Sequence, residues 1–416
     1  MIDPACGSGN FLLYTFDLLY ELYQDQIDNY GLNMDEKDIP QTIIENNIYG
    51  IDLDDRAVQL AQLGLYIKAK SKRRNIKNLN FNVVSSAFFL PNYDKVADIF
   101  NSQEFVYTDQ QALIQSLWDD LKYAYKFGSL IRINEHFESK IKSITEKYNN
   151  TAQRNLFDAH AITKHEQFEK ELFNNLELAV NKYAEGSTNV FLCQKTIDAI
   201  KFLKILTTKF DVVTANPPYT ASADYGEELK FFIEKNYRIT NYKFSENLYS
   251  AFLKRSYELL HNHGFIGMIH PYTFMYISDF SDVRKYILDN SNINLLVELD
   301  IGGVFKDANL EPVMYVFEKN MKSSKSTFFD LKPYIGLSNK QELFDNLYNN
   351  YINNYNLENI YILDQNKLFQ IKDAPFIYWI SDDFRMKFKS SPLKDYIDIR
   401  QGIATGCNDK FLRFFW

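Results

Sequence analysis

Cysteine is scarce in this 416-residue chain, and its three cysteines, Cys6, Cys193 and Cys407, lie far apart in the sequence. Their spacing fits neither a zinc ribbon nor a disulfide framework. Long hydrophobic runs are also missing, because no stretch reaches the roughly 18 apolar residues that a membrane-spanning helix requires. No charged leader followed by an apolar stretch opens the chain, as it would in a secretory signal. These absences predict a cytoplasmic protein without a membrane segment.

Positive charge is not in excess either, since 46 Lys and Arg stand against 54 Asp and Glu and the net charge is −8. Proteins that bind nucleic acid usually show a basic excess, so the overall charge is mild evidence against that class. Six basic residues cluster at residues 68–77, where a solvated helix end explains them more simply than a basic binding face. The aromatic share of 16% is high, and core packing explains it more simply than base stacking.

Short apolar stretches alternate with amphipathic helical segments along much of the chain. Strand candidates lie at residues 1–2, 48–52, 81–84, 210–215, 265–269, 293–299 and 313–317. Residues 91–205 interrupt this order with mainly helical periodicity, including amphipathic stretches at 135–147 and 166–183. Strands that alternate with helices predict an α/β fold with a doubly wound, mostly parallel sheet, and the interruption predicts a large helical insertion.

A glycine-containing turn follows the first strand. It has the sequence Asp3-Pro4-Ala5-Cys6-Gly7-Ser8-Gly9-Asn10-Phe11. Glycines let a backbone approach a ligand closely and adopt positive φ, and the helix that follows offers unpaired N–H groups. Because nucleotide and flavin folds use the same device, two glycines alone are weak evidence, whereas the nine-residue unit is specific. Its carboxylate suits a cationic ligand, such as the amino group of a methionine moiety, and a purely structural turn is the alternative.

Asp52 ends the second predicted strand, 49 residues after Asp3. In a sheet of adjacent strands this carboxylate lies beside the glycine turn, where it can accept hydrogen bonds from both hydroxyls of a ribose. The separation exceeds the roughly 20 residues of a compact dinucleotide fold, and a polar loop at residues 31–41 accounts for the excess. By itself, Asp52 fits a helix-capping role equally well.

The strand at residues 210–215 runs directly into Asn216-Pro217-Pro218-Tyr219. Two prolines stiffen the backbone and leave two positions without an N–H donor. The side-chain oxygen of Asn216 and the carbonyl of Pro217 can then accept two hydrogen bonds from one planar amino group, which makes its nitrogen nucleophilic. Tyr219 offers a flat face on which a base can stack. A rigid turn without catalytic function is the simpler alternative.

Together, the nine-residue turn and the Asn-Pro-Pro-Tyr motif resemble those of amino-methyltransferases of DNA, specifically the adenine-N6 branch with the gamma order of motifs. More closely, the chain resembles the PglX methyltransferases of BREX phage-defence systems, over about residues 1–320 and more weakly over 400–406. The segments that carry this closer similarity are Tyr49-Gly50-Ile51-Asp52-Leu53-Asp54, Phe127-Gly128-Ser129-Leu130-Ile131, and Gly264-Phe265-Ile266-Gly267-Met268-Ile269 with Phe274-Met275.

The resemblance implies a seven-stranded, Rossmann-like methyltransferase sheet, S-adenosyl-L-methionine as the cofactor, and no metal. It implies double-stranded DNA as the substrate and other phage-defence proteins as candidate partners. Catalysis is expected from Asn216, Pro217, Pro218 and Tyr219, and stacking on the flipped base from Tyr219 and Phe274. The cofactor-binding residues that it implies are Asp3, Pro4, Ala5, Cys6, Gly7, Gly9, Asn10, Phe11, Asp52, Leu53 and Ser86.

The same resemblance predicts how the chain is organised. The expected regions are a cofactor-binding half at 1–90, the helical insertion at 91–205, a catalytic half at 206–322, a connecting region at 323–392 and the start of a target-recognition region at 393–416. Only residues 1–2 remain of the first strand and the helical segment that precedes it in the family is absent, so we expect a chain cut short at both ends. Ser86 lies where many relatives place an Asp against the adenine ring of the cofactor.

Two other functions fit parts of the pattern. Methyltransferases that act on a protein glutamine or on guanine in RNA share Asn-Pro-Pro-Tyr, although their glycine turn usually lacks Asp-Pro-Ala-Cys-Gly and they lack a large helical insertion. A non-catalytic remnant that binds DNA or partner proteins is the other alternative. Methylation of adenine N6 in DNA is the function that we expect.

Overall fold

The fold is seen in a computed structural model of the chain. The structure describes residues 1–88, 121–132, 190–239, 241–301, 310–321, 325–334, 339–355, 357–391 and 395–398 with positions 115 and 118, and only the backbone of 190–196. Most of the predicted helical insertion, including its stretches at 135–147 and 166–183, lies outside the described residues. Almost all of the predicted recognition region at 393–416 lies outside them too.

Eleven strands lie in the described part of the chain, and nine of them form one sheet. In chain order they are β1 Ile2–Asp3, β2 Tyr49–Asp52, β3 Asn82–Ser85, β4 Phe210–Ala215, β5 Arg238–Ile239, β6 Tyr242–Lys243, β7 Leu260–Pro271, β8 Ser291–Glu298, β9 Pro312–Lys319, β10 Ser326–Asp330 and β11 Ile360–Leu363. β5 and β6 form a separate two-stranded hairpin, and the nine-stranded sheet has the order β11-β10-β8-β9-β7-β4-β1-β2-β3.

Strand directions confirm the predicted doubly wound, mostly parallel sheet. β3, β2, β1, β4 and β7 pair in parallel, and β10 pairs in parallel with β8. β9 is antiparallel to both β7 and β8, and β11 is antiparallel to β10. The predicted methyltransferase sheet has seven strands, which correspond to the neighbouring strands β3, β2, β1, β4, β7, β9 and β8. β10 and β11 extend it, so the predicted connecting region at 323–392 contributes two strands to the same sheet.

Helices cover both faces of the sheet. Those in the described residues are α1 Asn10–Tyr30, α2 Ile39–Thr42, α3 Asp55–Lys72, α4 Ala124–Phe127, α5 Val190–Thr207, α6 Glu227–Tyr237, α7 Leu248–Leu259, α8 Ser281–Asn290, α9 Lys340–Ile352 and α10 Asp382–Met386. α1 and α3 pack in one core with Val83, whereas Val84, the next residue of β3, belongs to the core on the other face with α5 and α7. This alternation is the period of two that a strand between two helical layers requires.

Two glycines allow neighbouring elements to lie unusually close together. Gly9 caps α1 with φ +86, and a Cβ built on it would lie 2.8 Å from the Cβ of Ala61 in α3. Only glycine fits both that conformation and that contact. Within β7, a Cβ on Gly264 would lie 2.9 Å from the Asp211 carbonyl oxygen of β4, and His263 has φ +63. β7 begins at Leu260, five residues before the predicted strand.

Among the described residues, none of the helices has the length and apolar character needed to cross a membrane. The same residues contain no group of three or more His, Cys, Asp or Glu side chains arranged to hold a metal ion.

Candidate active site

Three parallel strands bring most of the predicted site residues to one edge of the sheet. β1 lies between β2 and β4 and pairs with both. The glycine turn after β1, Asp52 at the end of β2 and Asn216 after β4 therefore lie at neighbouring carboxyl ends. This is the edge at which ligands bind in open α/β sheets.

A cavity of about 560 Å³ opens at this edge, and its volume lies within the range of small-molecule sites. The turn after β1, the end of β2, residues 126–130, the turn after β4 and helices α6 and α7 form its walls. The lining residues are Pro4, Ala5, Ile51, Asp52, Leu53, Lys126, Phe127, Gly128, Ser129, Leu130, Asn216, Pro217, Pro218, Tyr219, Leu229, Leu248 and Phe252. All four predicted catalytic residues therefore share one cavity with Pro4, Ala5, Asp52 and Leu53.

The turn after β4 places Asn216 at the wall of the cavity. Asn216 and Pro218 are exposed while Pro217 is buried. The Tyr219 hydroxyl donates a hydrogen bond to the side-chain oxygen of Asn216, and it lies 3.4 Å from the Ile269 carbonyl. Burial raises the pKa of Tyr219 to about 12, so its hydroxyl stays protonated and acts as a donor at neutral pH. Asn216 and Tyr219 thus form one unit before any substrate binds.

Asn247 anchors this turn and was missed by the sequence analysis. Its amide nitrogen donates a hydrogen bond of 3.0 Å to the Tyr219 carbonyl. Its amide oxygen accepts from the backbone N–H of Tyr249 at 3.2 Å and so caps α7. The backbone adds a hydrogen bond of 3.0 Å from Leu248 to the Thr220 carbonyl. No motif marks Asn247, because its role depends on a contact with a residue 28 positions away.

Asp52 joins the end of β2 to the glycine turn. One carboxylate oxygen accepts a hydrogen bond of 2.8 Å from the Gly7 N–H, and the other accepts one of 2.9 Å from the Asp54 N–H. Each carboxylate oxygen can accept more than one hydrogen bond, and the side chain is half-buried at the cavity wall. Capacity therefore remains for a ligand hydroxyl. Helix capping, the alternative role of Asp52, belongs instead to Asp54, which accepts from Arg56 at the start of α3.

Asp3 is buried beneath the cavity and does not line it. One of its carboxylate oxygens accepts a hydrogen bond of 3.0 Å from the Ala5 N–H. Burial, with the neighbouring charge of Asp52, raises the pKa of Asp3 from its usual 3.8 to about 7, although the Ala5 hydrogen bond acts in the opposite direction. The structure thus gives Asp3 a role in holding the turn, and a cation nearby would favour its charged form.

Several other predicted cofactor residues do not line the cavity. Cys6 is a buried member of the core under α1 and α3, and burial raises the pKa of its thiol. Gly7 has φ +52 with open space where a Cβ would be. Neither residue lines the cavity, nor do Gly9, Asn10 and Phe11.

Ser86 is another of these residues. It is fully buried, and its hydroxyl lies 3.4 Å from the Asp52 carbonyl, while its backbone N–H donates to the same carbonyl at 2.9 Å. It supports the end of β2 and is absent from the cavity lining.

Phe274 does not occupy the predicted stacking position. Its side chain has no exposed surface and packs in the core against His270, Tyr315 and Phe376, with ring centroids 5.0, 5.9 and 5.6 Å away. The Phe274 prediction is therefore wrong, because a ring enclosed by three others has no free face for a base. Phe376, which completes the enclosure, lies about a hundred residues later in the chain.

Residues 126–130 form a cavity wall to which the sequence analysis assigned no role. The ring of Phe127 stacks on Phe232 of α6 with centroids 3.9 Å apart. Gly128 has φ +53 and ψ −136, a conformation essentially restricted to glycine. A Cβ built on Gly128 would lie 3.2 Å from the Leu53 side chain. The similarity at Phe127-Gly128-Ser129 was the available signal for this wall.

The family model for the Eco57I restriction-modification methylase matches residues 46–305, which is more than half of the chain. The chain belongs to this family. The match spans β2 to β8, the part of the sheet that carries Asp52 and the Asn216–Tyr219 turn.

Curated relatives of this chain are much longer. The adenine-specific methyltransferase PglX of Lacticaseibacillus casei is 24% identical over 420 residues, which cover 99% of this chain and 31% of that protein. The adenine-specific methyltransferase BrxX of Escherichia coli O9:H4 is 24% identical over 442 residues, covering 99% and 32%. The chain thus spans about a third of the length of these relatives. Among solved structures, the Type ISP restriction-modification enzyme LlaGI is 11% identical with a TM-score of 0.49, covering 92% of this chain and 25% of that one.

The cavity fits the cofactor that methylases of this kind imply. Asp52 supplies hydrogen-bond acceptors, and residues 127–130 supply a largely apolar wall opposite Leu53. A Cβ at Gly128 would lie 3.2 Å from the Leu53 side chain, so glycine lets this wall lie close to Leu53. A polar acceptor beside an apolar slot suits a nucleoside.

Proposed function

We propose that this Eco57I-type methylase transfers a methyl group from S-adenosylmethionine to N6 of adenine in double-stranded DNA. Host DNA marking in phage defence or restriction–modification is the corresponding role. The observation that carries the proposal is the single cavity that joins Asp52 to Asn216 at neighbouring strand ends. Relatives named as adenine-specific methyltransferases support the choice of adenine, and other proteins of the defence system are the further partners that we propose.

The catalytic step rests on hydrogen-bond acceptors held in place before substrate arrives. A target adenine leaves the duplex at a cost of a few kcal/mol and enters the cavity. The Asn216 side-chain oxygen and the Pro217 carbonyl accept the two N–H groups of the adenine amino group, which frees its lone pair. When bound, S-adenosylmethionine supplies an electrophilic methyl group. Rate enhancement then comes from positioning and from preorganised dipoles.

Tyr219 has two roles: its hydroxyl holds Asn216 before adenine binds, and its ring stacks on the bound adenine. In the structure its hydroxyl occupies the side-chain oxygen of Asn216, the acceptor that adenine needs. An amide oxygen has two lone pairs, so the side-chain oxygen of Asn216 can accept from the adenine amino group as well as from the Tyr219 hydroxyl. The Tyr219 ring is then available to stack on the base.

At the cofactor end, Asp52 accepts the ribose hydroxyls while Pro4, Ala5, Leu53 and residues 127–130 enclose the ligand. Asp3 supports the turn from beneath, and its carboxylate becomes charged when the cationic amino group of the ligand lies nearby. Cys6, Gly7, Gly9, Asn10, Phe11 and Ser86 contribute the backbone shape of this end.

Replacing Asn216 tests the proposal. The chain and its Asn216→Ala variant are incubated with unmethylated genomic DNA and S-adenosylmethionine, and N6-methyladenine is measured by mass spectrometry after digestion to nucleosides. We expect a loss of at least about 100-fold, the scale for removing one preorganised group at the reacting atom. Asn29→Ala, an exposed substitution at the end of α1, is the matched control and should retain activity. Undiminished N6-methyladenine in Asn216→Ala, or methylated protein in place of methylated DNA, would refute the assignment.

A further inference from the structure

Ser129 connects the cavity wall at residues 126–130 to the glycine turn. Its hydroxyl donates a hydrogen bond of 2.5 Å to the Pro4 carbonyl, and this contact is buried. Pro4 and Ala5 both line the cavity, as Ser129 does. The two sequence segments are 125 residues apart, so this hydrogen bond is a tertiary link between two walls of one site.

Arg255 of α7 holds Ser129 from behind. Its side chain is fully buried, and its Nε donates a hydrogen bond of 2.8 Å to the Ser129 carbonyl. The guanidinium charge is balanced by Glu258, 3.3 Å away. Glu258 also pairs with Arg132 at 2.8 Å and Lys254 at 3.2 Å. Because buried charges are costly unless paired, this network fixes Arg255 in one orientation.

The same helix also holds the catalytic turn. Asn247 at the start of α7 binds the Tyr219 carbonyl, and Arg255, two turns later, binds the Ser129 carbonyl. From α6, the Tyr237 hydroxyl donates a hydrogen bond of 2.7 Å to the Leu130 carbonyl. α7 therefore sets the distance between the base-binding end and the cofactor end of the cavity.

We propose that Ser129 is a positioning residue for the cofactor turn, and that Arg255 acts through Ser129. This inference rests on the proposed function, because the ligand at that turn is S-adenosylmethionine. Without the Ser129 hydroxyl, the Pro4–Ala5 backbone loses its tie to α7 and the cofactor end of the cavity loosens. Cofactor affinity then falls, while the acceptors at Asn216 and Pro217 keep their geometry.

Calorimetric titration of S-adenosylmethionine into the chain tests this role without relying on activity. One neutral buried hydrogen bond corresponds to about a 5- to 30-fold change in an equilibrium constant. We expect the Kd of Ser129→Ala to rise by about that factor, and the KM for S-adenosylmethionine to rise by a larger factor than kcat falls. The control is Ser256→Ala, another fully buried serine, whose hydroxyl donates a hydrogen bond of 2.8 Å to the Phe252 carbonyl within α7. The Kd of this control should not change.

A double-mutant cycle tests the relay. Arg255→Met leaves Glu258 paired with Arg132 and Lys254, and it should raise the Kd in the parent chain but not further in the Ser129→Ala background. Equal cofactor affinity of Ser129→Ala and the parent chain overturns the positioning role, and additive effects overturn the relay. A parent chain that binds no S-adenosylmethionine refutes both the proposed function and this inference, whereas a parent chain that binds it no more tightly than Ser129→Ala refutes this inference alone.

Discussion

Substitution of Asn247 by Asp removes one hydrogen bond from the catalytic turn and keeps the helix cap. An Asp oxygen can still accept the Tyr249 N–H, since Asp and Asn cap helices equally well. A carboxylate cannot donate to the Tyr219 carbonyl, which then loses its 3.0 Å partner. Asn247→Asp therefore separates turn positioning from helix stability, whereas Asn247→Ala removes both.

The magnitudes follow from these contacts. Loss of the hydrogen bond to the part-buried Tyr219 carbonyl should cost about 1–3 kcal/mol of unfolding free energy. Asn247→Ala should cost about 0.5–2 kcal/mol more, because it also removes the helix cap. A displacement of the catalytic group by about 1 Å can lower the rate about 100-fold. We therefore expect kcat of Asn247→Asp to fall about 10- to 100-fold, with little change in cofactor affinity, because Asn247 does not line the cofactor end of the cavity.

Urea unfolding supplies the free energies, and initial rates of N6-methyladenine formation supply kcat. Asn339→Asp is the matched control, because Asn339 caps α9 in the same way and lies outside the cavity lining. A folded Asn247→Asp protein with the kcat of the parent chain would refute the positioning of the turn by Asn247. An equal loss of kcat in Asn339→Asp would show that the effect is not specific to the turn.

Two further predictions concern Asp3 and Phe274. The unfolded chain releases the Asp3 proton near pH 3.8 and the folded chain keeps it until about pH 7, so unliganded stability should fall as pH rises between these values, by at most about 4 kcal/mol. Asp3→Asn should flatten that decline in urea midpoints measured from pH 5 to pH 8, and an unchanged slope would contradict the raised pKa of Asp3. Phe274→Ala should cost about 3–5 kcal/mol of unfolding free energy, because it leaves a cavity in the core. Phe274→Leu should keep the kcat of the parent chain. A large loss of kcat in a stable Phe274→Leu protein would instead support a stacking role.

Sequence patterns predicted the elements near the site well because their signals are local. The helix from Asn10 and the strand ending at Asp52 were expected from apolar periodicity, and both are present. The catalytic turn was recognisable because two prolines after a buried strand allow few conformations. Strand alternation also implied the parallel sheet that brings Asp52 and Asn216 to one edge.

Long-range packing decided what those patterns could not. β10 and β11 lie in a stretch with no clear alternation, and they join the sheet because β8 offers an edge. Phe274 follows a strand as a stacking residue would, yet Phe376 covers it from a distant segment.

By itself, the sequence determined the chemistry of the site: a glycine turn that admits a ligand, a carboxylate at a strand end and a proline-stiffened amide. Those properties depend on side-chain type and on steric limits within a few residues. The tertiary structure alone decided which groups enclose that chemistry, from the Asn247 anchor to the Ser129 link with Pro4. Such contacts join residues 28 and 125 positions apart, and no local rule of the backbone specifies them.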